Sequence, residues 1–177
     1  MKSLQTIQKT FRVFQTLTKV AMILAFVGAG LLFLGLICGV AISATGAVIS
    51  GGMETLYKLT ASASFYEMIG TLLIEFILTL TDAILLRYGF LYFSAEQADG
   101  TPFTHRGADL MKRLGIRLLV LPAVAAILSG VIYGIFDLPK TILTDLGNGT
   151  SVVMGIMLIL MSLIINYGAE IQTQKED

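Results

Sequence analysis

Five polar side chains interrupt an otherwise apolar stretch: Glu67, Thr71, Glu75, Thr79 and Asp82, at spacings of four, four, four and three residues. On a helix turning by about 100° per residue they share one face. Carboxylates in such a row can take up and release protons, so the pattern fits a proton or cation path with Glu75 and Asp82 as relay groups. Two other arrangements use the same face. It can join a hydrogen-bond network with Ser162 and Asn166, or with Tyr133, or it can meet a partner helix. The network is the favoured reading, followed by the partner and then the path. None of them leaves the acids in lipid, where a central Asp costs roughly 2.5 to 3.5 kcal/mol. Arg87 and Arg117 stand only at the ends of apolar segments, and no Lys or Arg lies farther inside one to neutralise them.

Other residue sets offer less chemistry. His105 and Asp109 stand four apart, a spacing that can supply two metal ligands, but no further His or Cys lies nearby and a solvated helix start is the simpler expectation. No metal site is expected. Cys38 is the single cysteine of the chain, which excludes an intramolecular disulfide and a Cys-based cluster. Gly28-Ala29-Gly30 lies in an apolar run, follows no strand and lacks the third glycine of a dinucleotide loop. Nucleophile elbows, His-Glu-x-x-His helices and Walker loops are absent from the sequence. These features predict a protein that is not an enzyme and carries no cofactor. The basic run Arg106, Lys112, Arg113 and Arg117 can contact anionic lipid headgroups, at about 1 kcal/mol per residue. It serves equally as a signal of membrane orientation, and that reading is favoured.

The elements that position these residues follow from composition. Of 177 residues, 55% are hydrophobic and 14% charged, and the mean hydropathy is +0.83. One small soluble core cannot hide that much apolar surface, so lipid is the expected solvent. Apolar segments long enough to cross a bilayer, which takes about 20 residues, fall at approximately 20–42, 66–87, 117–136 and 147–168. The fold class is therefore all-α: one transmembrane domain over 1–177, an integral membrane four-helix bundle. A short amphipathic N-terminal helix with Leu4, Ile7, Phe11 and Phe14 on one side precedes the first span and is expected to rest on the membrane, and the whole segment should be retained as a signal anchor.

A second short helix is expected between spans two and three, with Thr104 as its N-cap and Leu110, Leu114 and Leu118 along one face. Tyr88, Phe90, Tyr92 and Phe93 read as a membrane-interface cluster. Small residues recur four apart at Gly35 and Gly39 and at Ala126, Gly130 and Gly134, a spacing that lets helices pack closely; internal packing is expected over dimerisation. Lys2, Lys9, Arg12 and Lys19 precede the first span, Arg87 and the basic run separate the second and third, and Lys175 follows the fourth. Only Lys58 and Lys140 fall on the other side, so both termini are expected in the cytoplasm.

The segment between spans two and three carries Gly100-Thr101-Pro102-Phe103-Thr104, followed by Leu110-Met111-Lys112-Arg113-Leu114-Gly115. With the closing Tyr167-Gly168-Ala169-Glu170, it resembles the domain of unknown function 2975 family of small bacterial membrane proteins with four predicted spans. That family has no established activity, and its members are often encoded beside small helix-turn-helix regulators. The resemblance implies a bacterial inner-membrane protein with a regulatory or accessory role. Pro102 disfavours helix at Thr101 and frees Thr104 to begin one, so the motif sets a turn, and Pro102, Phe103 and Thr104 are also candidate contacts for a partner. The expected partners are membrane lipids and another protein, with self-assembly as a further expectation and no direct binding of nucleic acid. A small transporter or ion-conducting oligomer using Glu75 and Asp82 is the alternative.

Overall fold

The computed structural model describes residues 2–45, 64–99, 104–138 and 150–176. All regular structure among them is α-helical, in four helices: α1 (Lys2–Thr45), α2 (Phe65–Asp99), α3 (His105–Phe136) and α4 (Thr150–Glu176). Each contains a stretch long and apolar enough to cross a membrane: Lys9–Ala41, Phe65–Ala98, His105–Phe136 and Ser151–Ile171. The chain is a multi-pass membrane protein built as a four-helix bundle. Its outer surface agrees with that solvent. Along α1 the exposed residues run through Val13, Leu17, Leu24, Val27, Leu31, Leu34 and Val40, an apolar strip of a kind that water-soluble monomers rarely present.

The N-terminal amphipathic stretch and the helix after Thr104 are both helical, and both continue without a break into the spans that follow. At 1.5 Å per residue, the 44 residues of α1 extend about 66 Å. Phe11 is half-buried and Phe14 remains 49% exposed, and both make contacts within the protein. Their rings pack on Phe93 of α2, with centroids 6.2 Å and 5.8 Å away. A transverse bond from Gln15 Nε2 to Ser94 Oγ (2.9 Å) reinforces this seam.

Packing divides the chain into two compact units: Met1–Ile23 with Ala83–Pro122 and Gly149–Asp177, and Leu24–Asp82 with Ala123–Asn148. In the first unit, α3 and α4 approach closely enough to touch through their backbones. A Cβ added at Gly115 would meet the Gly155 carbonyl oxygen at 2.9 Å, and one added at Gly155 would meet the Gly115 carbonyl oxygen at 3.0 Å. Paired small residues bring helices together in this way, because van der Waals contact replaces the hydrophobic drive that lipid removes. The packed face of α3 therefore runs through Gly107, Ala108, Met111 and Gly115, which are buried. Leu110, Leu114 and Leu118 stay half-buried beside it, because bulky side chains would hold the backbones apart.

The second unit has a core of Leu36, Met68 and Leu72, flanked by Leu32, Phe65, Ile69, Leu73 and Phe76. Phe33 and Phe76 add a ring contact at 5.6 Å. Gly39 takes part in this packing, with Ile69 Cδ1 at 3.2 Å from its Cβ position, whereas Gly35, Gly130 and Gly134 have nothing within 4 Å of theirs. The small-residue rows thus pack internally at one glycine and leave three open.

Helix ends follow local chemistry. Ser64 Oγ accepts from the Glu67 amide and Glu67 Oε2 accepts from the Ser64 amide, both at 3.2 Å, a reciprocal capping box that starts α2. Thr104 caps α3 as its position predicts, its hydroxyl accepting from the Gly107 amide at 2.9 Å. At the other end of α3, Asp137 adopts φ 47° and the Leu138 amide reaches back to the Tyr133 carbonyl at 3.4 Å. This Schellman-type stop turns Leu138, 3% exposed, onto Gly70 of α2, whose missing Cβ leaves the room.

Candidate functional site

The polar stripe of α2 does not act as one face. Glu67 belongs to the capping box, because four backbone amides at a helix start need acceptors and a Glu at this position supplies one. Thr71 and Thr79 are half-buried, and the Thr79 methyl lies 3.7 Å from the Cβ position of Gly28 on α1. Glu75 and Asp82 are exposed. Their neighbours on the helix are not: Met68, Leu72, Ile74 and Ala83 are at most 4% exposed. Within the second unit the two carboxylates thus open outward beside a packed helix face, near the middle of the Phe65–Ala98 span. Among the described residues neither makes a hydrogen bond or an ion pair.

Ser162 and Asn166, expected to join the stripe, belong to the first unit and make bonds within it. Ser162 is 2% exposed, and its hydroxyl donates to the carbonyl of Ile159 on its own helix at 2.7 Å. Asn166 turns to His105, with Oδ1 2.8 Å from the imidazole Nδ1, while its Nδ2 donates to Glu170 Oε1 at 3.2 Å. Helical hydroxyls commonly bond their own preceding turn; Thr16, Thr18 and Thr81 do the same. Tyr133 contributes its backbone carbonyl to the end of α3 and no side-chain bond to the stripe.

The first unit gathers a different set of polar groups. His105 is exposed at the start of α3, as expected, and it also closes a chain of contacts through Asn166 to Glu170. The direction of that chain can be deduced. Glu170 as a carboxylate only accepts, so the Asn166 amide faces it with Nδ2, and Oδ1 is left to accept from His105 Nδ1–H. Imidazole Nε2 then remains for another group. Alongside lies an open cavity of about 190 Å³ lined by His105, Ala108, Asp109, Lys112, Ser162 and Asn166. Asp109 accepts from Arg113 at 3.0 Å across one helical turn. A separate cleft of about 510 Å³ in the same unit, bordered by Phe11, Tyr92, Met111 and Ile165, is almost wholly apolar.

The basic run separates into distinct roles. Arg113 is held by Asp109, Arg117 lies over the Tyr88 ring with 3.5 Å to its centroid, and Lys112 borders the polar cavity. Arg106 is exposed on the first turn of α3. Part of the aromatic cluster also packs within the protein: Tyr92 is 7% exposed and meets Phe93 edge-on at 5.4 Å, while Phe93 receives Phe11 and Phe14 of α1. Pro102 and Phe103, with Lys58 and Lys140, lie outside the described residues.

One buried acid escapes the stripe pattern. Glu96, on the last turns of α2, is 3% exposed, and its carboxylate occupies the place where a Cβ of Gly107 would stand. The positive end of α3 favours a carboxylate there. The sequence signal is only the pairing of an acid near one helix end with a glycine just inside the next, which becomes legible once the two ends are known to meet.

No family model, curated protein or solved structure matches the chain.

Proposed function

We propose that this chain is a non-enzymatic protein of the bacterial inner membrane, with both termini in the cytoplasm, that works by holding another membrane protein against α2. One observation carries the reading: Glu75 and Asp82 are exposed on a membrane-spanning helix with no partner among the described residues. A central carboxylate in lipid costs roughly 2.5 to 3.5 kcal/mol, so a companion helix bearing donors is a natural cover. The resemblance of 100–104 and 110–115 to a family encoded beside small DNA-binding regulators supports a regulatory or accessory role for such a complex, with Phe103 as a second contact.

A photo-crosslinker placed at position 75 in native membranes tests the reading. Expected is a discrete protein adduct that is missing when the same group replaces Val27, a residue 55% exposed on the apolar surface of α1. Equal adducts at both positions, or none at position 75, would overturn it.

The same exposed acids support a second reading as proton-binding groups of an ion-conducting oligomer. Reconstituted liposomes would then show a flux that Glu75→Gln and Asp82→Asn abolish. Flux no greater than in empty liposomes excludes this alternative.

A further inference from the structure

The geometry points to the cavity between α3 and α4 as a binding site for the phosphate of an anionic phospholipid, with Lys112 as the charged contact. Its position supplies the first reason. His105 is the first residue of α3, and Asn166 lies within the last turns of the Ser151–Ile171 span. The cavity therefore opens at the end of two spans, the depth at which headgroups lie, and not in the hydrocarbon.

Charge supplies the second. Of the ionic groups around the cavity, Asp109 is neutralised by Arg113 at 3.0 Å, and Lys112 has no ion-pair partner among the described residues. Among the residues that line the cavity, Lys112 is thus a positive charge with no unpaired counter-charge in the lining, and the negative charge of Glu170 lies outside it. Glu170 lies one turn beyond Asn166, and one of its oxygens is already engaged by the Asn166 amide.

Hydrogen-bonding capacity supplies the third. Because Asn166 accepts from His105 Nδ1–H, the Nε2 of a neutral imidazole is left as an acceptor, which a headgroup hydroxyl can donate to, while the phosphate itself takes its donor from Lys112. The Ser162 hydroxyl gives its proton to Ile159 and so does not compete as a donor. About 190 Å³ suits a headgroup phosphate, and it is smaller than the roughly 300 to 1,000 Å³ of drug-sized sites. An acyl chain attached to a phosphate seated there can continue along the exposed apolar surface of α4, where Met161, Leu163 and Ile164 are each more than half exposed.

Native mass spectrometry of the full chain provides the test, after detergent exchange with phosphatidylglycerol, phosphatidylethanolamine or phosphatidylcholine of identical chains. Phosphatidylglycerol should be retained most strongly, about fivefold over phosphatidylcholine, the ratio worth about 1 kcal/mol for one basic residue. Lys112→Gln should remove that preference. Asn166→Asp, which places a negative charge on the opposite wall of the same cavity, should weaken retention even where Lys112→Gln folds poorly. Lys19→Gln, at an exposed basic residue on α1, should leave it unchanged. Equal retention of the three lipids, or equal losses in Lys112→Gln and Lys19→Gln, would overturn the site. Complete displacement of phosphatidylglycerol by millimolar inorganic phosphate would overturn the lipid as its occupant.

Discussion

Glu170 and Glu75 are both carboxylates on long apolar helices, yet their surroundings differ. At the end of α4, Glu170 accepts from Asn166, which in turn holds His105 on α3. Near the middle of α2, Glu75 and Asp82 meet no donor among the described residues. Position along the helix accounts for the contrast. Ends lie near water and near the loose amides and carbonyls of neighbouring helices, so a polar group finds partners cheaply. A mid-span acid has only side chains of other helices to turn to, and in the second unit the core gives α2 the apolar Leu32, Phe33 and Leu36 of α1. Such a residue is retained at a cost to the isolated chain, and its cover is expected to come from outside.

Removing the mid-span acids should therefore have the largest effect, with opposite signs in two measurements. Asp82→Leu should raise the stability of the purified chain in lipid by roughly 2.5 to 3.5 kcal/mol, read as its resistance to unfolding in a denaturing detergent. The same substitution should abolish the crosslink at position 75. A loss of stability would instead mean that Asp82 is satisfied within the chain and would erase the contrast between the two regions.

Gly115→Leu comes next. Its side chain has to enter space held by the Gly155 carbonyl and Ile159, so it should destabilise the α3–α4 pair by about 1 to 3 kcal/mol. The His105 to Asn166 contact should open as a consequence, visible as faster labelling of a cysteine placed at the buried Ala108 in an otherwise cysteine-free background. Gly130→Leu, on the open face of the same helix, should be close to neutral, and a cost equal to that of Gly115→Leu would show that this face is packed too.

Asn166→Ala should cost about 1 kcal/mol, since a half-buried amide joining two partners is lost. If instead it were silent in the same unfolding measurement, the polar chain at the α3–α4 end would contribute nothing to stability, and the contrast with α2 would rest on exposure alone.

The smallest effect is expected at the close of α3. Asp137→Gly should stabilise by about 0.5 kcal/mol, because φ 47° strains side chains, Asp less than most, and glycine adopts it freely. The thermal midpoint reports it, and a decrease would show that the Asp137 side chain does more than mark the helix end.

Much of the architecture was legible from hydropathy alone. Four apolar runs fix four spans because lipid accepts no other unpaired backbone, and Thr104 announces the start of α3 by type and position. The capping role of Glu67 was also written in the sequence, as Ser64-x-x-Glu67, and was obscured because the same residue continues the four-residue polar rhythm of α2. Helical spacing reports which residues share a side of one helix. It cannot report which neighbour that side meets.

Side-chain destinations are accordingly what the tertiary structure alone decided. Asn166 could have turned to α2 or to α3, and the close approach of Gly115 to Gly155 brings His105 within reach. Phe11 and Phe14 could have stood clear of other helices, and their rings pack on Phe93. For Glu75 and Asp82 the sequence determined that lipid is an unsuitable neighbour, through the energy of a charge in hydrocarbon. Only the packing of α2, with Met68, Leu72 and Ile74 turned inward, left both acids on the outside.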